Sequence, residues 1–190
     1  MIVVSLLLLS TWSVWFVGKA SANHLCFDVS GQHGTSGPDS FSGGAGDNVY
    51  SGLDGDDDIQ GGGGSDFLCG NGGDEANPDL KGQEGPDKLD AGAGRDEMDG
   101  NENDDLLHGG DGTDLAYRGY GEDTLIGDDG PDDIFGEDDN DEIRGKEGND
   151  ELYGGNGYDW VYGGPGYDYC ADGPGGGYLD PSCEEMQTFP

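Results

Sequence analysis

"GKEGNDELYGGNGYDWVYGGPGYDYC" spans Gly145 to Cys170. Cut into nines it reads GKEGNDELY, GGNGYDWVY and GGPGYDYCA, the last completed by Ala171. Glycine opens each unit and returns at the fourth place, aspartate holds the sixth, and a hydrophobic residue holds the eighth. Working outward, the beat starts at Gly34, Gly43, Gly52 and Gly61, passes through one longer unit, Gly70–Lys81, and runs without a break from Gly82 to Asp180. Sixteen units cover 147 residues. Self-similarity at a fixed short period is the signature of a solenoid.

Each unit divides into two parts. The GGxGxD half is a turn, because recurrent glycine permits positive φ angles. Where the fourth-place glycine is lost, Asn103 and Asp139 replace it, and these residue types best tolerate the left-handed region. The remaining three residues form a short strand whose middle side chain points inward. That eighth place carries Phe41, Tyr50, Ile59, Leu68, Leu89, Met98, Leu107, Ala116, Leu125, Ile134, Ile143, Leu152, Val161, Cys170 and Leu179. Leu80 joins them if the three extra residues of the long unit lie in its turn. Helix is excluded by glycine at every third or fourth residue, at about 1 kcal/mol each relative to alanine. If two units form one coil, parallel strands eighteen residues apart pair at about 4.8 Å, giving about eight coils and a roll on the order of 38 Å long.

Composition fixes the partner class. The chain of 190 residues has room for one domain. It holds 42 acidic and 7 basic residues and 41 glycines, with a net charge of −35. Such a chain reads first as disordered, since it buries too little apolar surface to offset chain entropy. Nucleic acid is excluded by charge repulsion, and cations are the natural partner. In the stack, aspartates eighteen residues apart form two columns, whose carboxylates repel one another unless cations lie between them. Calcium fits best, because it accepts six to eight oxygen ligands in flexible geometry. Magnesium demands tight octahedra, and zinc wants Cys and His, whereas His24, His33 and His108 fall on no ligand spacing.

These residues resemble the RTX, or haemolysin-type, calcium-binding nonapeptide repeats, over Gly34 to Asp180. The resemblance implies an all-β fold, a right-handed parallel β-roll with calcium in both rows of turns, ordered only when calcium is present. It carries the metal-binding role onto Asp39, Asp57, Asp66, Asp87, Asp96, Asp105, Asp114, Asp123, Asp132, Asp141, Asp150, Asp159 and Asp168. Aspartates matched two units apart give about ten calcium sites on the coordination argument. Asn48, Asp74 with Glu75, and Gly177 depart from the pattern.

The flanks complete the expected organisation. Residues 1–22 read as a signal peptide, with an apolar run to Val17 and the small-x-small Ala20-Ser21-Ala22. The alternative is a retained anchor. Residues 23–33 are expected to cap the N-terminal end, 34–180 to form the roll, and 181–190 to close it as a cap or tail. The even cysteine count suits two disulfides outside the cell. Because the roll keeps its ends apart while bridged Cα atoms lie within 7 Å, the expected pairs are Cys26–Cys69 and Cys170–Cys183. The protein is expected to be secreted, without stable membrane insertion after signal cleavage.

Outward ninth places carry Tyr117, Phe135 and Tyr153, a predicted aromatic ladder, while Tyr158, Trp160, Tyr162, Tyr167, Tyr169 and Tyr178 crowd the last coils. The ladder reads as cross-strand packing, or as a docking face for cell-surface glycan or another protein. Ice binding is disfavoured, because no threonine rank occupies the third place. An enzyme is not expected: about twenty residues lie outside the repeats and the signal, and calcium ligation accounts for the carboxylates.

Overall fold

The computed structural model describes residues 31–73 and 80–188. The signal segment, Cys26, most of the N-terminal cap, and Asp74 and Glu75 lie outside the described residues. The described chain is a two-sheet parallel β-solenoid. One sheet contains β1 (Gln32–His33), β3 (Val49–Asp54), β5 (Phe67–Gly72), β7 (Lys88–Gly94), β9 (Leu106–Gly112), β11 (Thr124–Asp129), β13 (Glu142–Glu147), β15 (Asp159–Tyr162) and β17 (Gly177–Leu179). The other contains β2 (Ser40–Ser42), β4 (Asp58–Gly63), β6 (Leu80–Glu84), β8 (Glu97–Glu102), β10 (Leu115–Tyr120), β12 (Asp133–Phe135), β14 (Glu151–Tyr153), β16 (Tyr169–Gly173) and β18 (Glu185–Thr188). Strands alternate between sheets, so two units make one coil, as the period predicts.

Register follows the hydrophobic place. Leu89, Leu107, Leu125, Ile143, Val161 and Leu179 are successive partners in one sheet. Ile59, Leu80, Met98, Ala116, Ile134, Leu152 and Cys170 are successive partners in the other. Leu80 therefore keeps its place across the long unit. These side chains meet between the sheets as one continuous buried core. The core is narrow, with the eighth-place side chain and the mostly small first-place residue two positions on facing inward, because alternation along each strand sends the residues between outward.

Backbone conformation departs from expectation in one respect. Asn103 and Asp139 are left-handed at the fourth place, with φ of 81° and 79°. From Leu53 to Gly173, however, every second-place residue also has positive φ, including Leu53, Gln83, Glu137 and Lys146. The turn thus needs a left-handed residue immediately after the strand as well as inside the glycine run.

The C-terminal end carries an expected feature. Cys170 and Cys183 form a disulfide with Cα atoms 5.9 Å apart. Cys69 is disulfide-bonded and fully buried, although the ninth place reads outward. Its expected partner, Cys26, lies outside the described residues. β18 continues the stack by pairing with β16, placing Met186 beside Cys170. The aromatic ladder forms: Tyr117 stacks on Phe135 at 5.3 Å and Phe135 on Tyr153 at 4.9 Å, with Tyr169 tilted against Tyr153 at 5.5 Å.

Candidate metal centres

The sixth-place aspartates sit where each turn re-enters a strand, and stacking aligns them in two columns. One runs Asp39, Asp57, then Asp96, Asp114, Asp132, Asp150, Asp168; the other runs Asp66, Asp87, Asp105, Asp123, Asp141, Asp159. All except Asp39 are buried. The backbone N–H of each donates to Oδ1 of the aspartate two units on. Examples are Asp87 to Asp105 (2.8 Å), Asp114 to Asp132 (2.9 Å) and Asp132 to Asp150 (3.0 Å). All ten aspartate pairs that the spacing matches are joined in this way. Asn48, the sequence departure, makes the same donation to Asp66 (2.8 Å). At the C-terminal end of its column, the Asp168 N–H finds Oε2 of Glu184 (2.8 Å).

That pattern satisfies Oδ1 and leaves Oδ2. The Oδ2 atoms of Asp57, Asp66, Asp87, Asp105, Asp114, Asp132, Asp141, Asp150, Asp159 and Asp168 are buried without a hydrogen-bond partner. Buried acceptors are rarely left in that state, because the lost solvation costs about 1–3 kcal/mol each, more for charged groups. The glycine before each aspartate explains the room around it. A Cβ on Gly127 would collide with Asp132 Oδ2 and lie 2.8 Å from the Gly145 carbonyl oxygen. On Gly145 it would collide with Asp150 Oδ2 and lie 2.7 Å from the Gly163 oxygen. First-place glycines therefore let a carboxylate oxygen and, at most of these positions, a carbonyl oxygen of the next coil approach the same backbone point.

Electrostatics point the same way. Burial pushes the Asp132 carboxyl up to about 8 and Asp114 and Asp105 up to about 7. The backbone hydrogen bond to each pulls down and the neighbouring carboxylates push up further. Asp87, Asp150 and Asp159 rise to about 6, again chiefly by burial. A carboxylate stack at neutral pH thus needs either protons or cations. Among the described residues no three His, Cys, Asp or Glu side chains converge on one point. The donor set is instead carboxylate plus backbone carbonyl, all hard oxygen, which suits calcium and not zinc.

Three groups at these columns escape a reading by ninefold pattern. Glu184 supplies the terminal acceptor from outside the repeats. Asp172 occupies a first place, is buried, and adds to the rise of Asp159. Arg118 occupies another first place and is fully buried beside Asp123 and Asp141. The signal was present in the sequence as breaks in the first-place glycine rank, but only the fold shows that this place faces inward.

A family model of the RTX calcium-binding nonapeptide repeat matches residues 33–59, 42–74, 81–116, 117–152 and 135–170. No curated protein matches the chain.

Proposed function

Because the chain belongs to the RTX calcium-binding nonapeptide-repeat family, we propose that it is a secreted protein whose β-roll folds as calcium binds and which serves a structural or interaction role. The observation that carries this reading is the file of buried Oδ2 atoms without hydrogen bonds, most of them packed on a first-place glycine beside a carbonyl oxygen of the next coil. Bound calcium would supply positive charge and oxygen coordination between successive carboxylates. The thirteen sixth-place aspartates are the proposed ligands, with turn carbonyls completing the sets at about ten sites. The chain's own part is to hold each paired carboxylate by its Oδ1 bond as the coils form, which leaves Oδ2 for the ion. Binding free energy then becomes folding free energy. Secretion is supported by the Cys170–Cys183 disulfide, which belongs to an oxidising compartment. Abundant calcium outside the cell would set the roll there.

The test is circular dichroism of residues 23–190 during calcium addition, with magnesium as control. A cooperative rise of β signal with calcium, and none with equal magnesium, is expected. A spectrum indifferent to millimolar calcium would sink the assignment. A second reading, docking of cell-surface glycan, is favoured only by the stacked Tyr117–Phe135–Tyr153 face. A glycan array of the calcium-loaded roll decides it.

A further inference from the structure

Arg118 stands where the repeat calls for glycine. Its side chain enters the interior from β10 and is fully buried. Among the described residues it is the one buried cation. Nη1 lies 3.6 Å from Asp123 Oδ2 and 3.9 Å from Asp141 Oδ1, and its charge also reaches Asp105. These are three successive members of one column. Nε, Nη1 and Nη2 have no hydrogen-bond partner, so the guanidinium is held among the carboxylates by charge. Space for it is provided locally: two positions earlier on the same inward face of β10, the eighth place holds Ala116, where the other units place Ile, Leu, Met, Val, Cys or an aromatic residue.

We propose that Arg118 is a resident cation that takes the place of a metal ion in this column, so that the Asp105–Asp123–Asp141 stretch is held together without calcium at that level. The proposal rests on the calcium reading of the columns and deepens it. A guanidinium buried away from water is tolerated only where fixed negative charge surrounds it. A divalent ion placed against it would be repelled. The column of Asp66 to Asp159 is therefore divided by a permanent charge, whereas in the column of Asp96 to Asp168 the first places hold Ala91, Gly109, Gly127, Gly145 and Gly163 and offer no charged side chain.

The test counts ions. The full chain and its variants are refolded in saturating calcium, and bound calcium is read by native mass spectrometry. Arg118→Gly, and Ala116→Leu/Arg118→Gly to restore both repeat residues, are each expected to bind one more calcium than the parent. Arg118→Lys, which keeps a cation, is expected to bind the parental number. An unchanged count in folded Arg118→Gly overturns the proposal, and so does failure of both glycine variants to fold at any calcium concentration, because calcium then does not replace the guanidinium. A parent chain that binds no calcium overturns the calcium reading as well, which separates the two failures.

Discussion

Removing calcium should make the roll sensitive to pH in a sense opposite to ordinary acid denaturation. Asp132 and Asp114, which no buried cation faces, carry a large charge penalty, with folded-state values near 8 and 7 against 3.8 in the open chain. A raised folded-state value favours the fold fully below pH 3.8, and that advantage is lost as pH rises through the folded-state values. At 1.36 kcal/mol per pH unit, each group at pH 7 disfavours folding by about 4 kcal/mol relative to strong acid. The two share their mutual repulsion, so together they cost no more than about 8 kcal/mol, which still rivals the 5–15 kcal/mol stability of a whole domain. At pH 5 the figure falls to about 2 kcal/mol each. In excess chelator, far-UV circular dichroism should show β signal at pH 5 that fades toward pH 8, while in millimolar calcium it should stay level. A chelated chain whose β signal is flat across this range, or grows with pH, refutes the argument.

Other perturbations test separate parts of the structure. Asp132→Asn should lower the bound calcium count and flatten the pH response of the chelated chain, read by mass spectrometry and dichroism. Gly130→Ala should cost several kcal/mol, on the order of the largest single-site effects, because its φ is 132° and a Cβ would land on the Gly112 carbonyl of the preceding coil. Leu53→Gly should do the opposite by about 0.5–1 kcal/mol, relieving an exposed left-handed residue at φ 84°. Joint replacement of Cys170 and Cys183 by serine should lower stability in calcium by about 3 kcal/mol, as for a loop of this length. Phe135→Ala should lower the melting temperature through loss of about 1–2 kcal/mol of stacking and burial, with the calcium count unchanged.

Periodicity made the architecture legible because the constraints repeat. The sixth and eighth places each meet the same surroundings in every coil, so Leu125 and Asp132 can be assigned from spacing alone. Even the insertion was readable, since Leu80 had to keep its face. The second-place left-handed turn was not, because Leu53, Gln83, Glu137 and Lys146 stand there among the glycines and mask the backbone demand. Nor was the buried Ser51–Cys69–Asp90 strip, since most other ninth places are at least partly exposed, Ala171 excepted. Arg118 was visible as an irregularity, but its meaning depends on knowing that first places turn inward and that three carboxylates surround it. Glu184 lies sixteen residues from Asp168 rather than eighteen, out of phase with any ninefold reading.

The hydrogen bonds within each carboxylate file all run one way. Each aspartate gives its N–H forward and receives from behind, so the file has a giving end and a receiving end. At the N-terminal side, the first carboxylate can fall back on water for the donor it lacks. At the C-terminal side, the last N–H needs another acceptor: Glu184 takes that of Asp168 in one file, and the Gly176 carbonyl takes that of Asp159 in the other. Coils can therefore be gained or lost by eighteen residues anywhere upstream with no new part required, while the closing segment behaves as a keystone. Length in such a protein is free to drift anywhere but at its closing end.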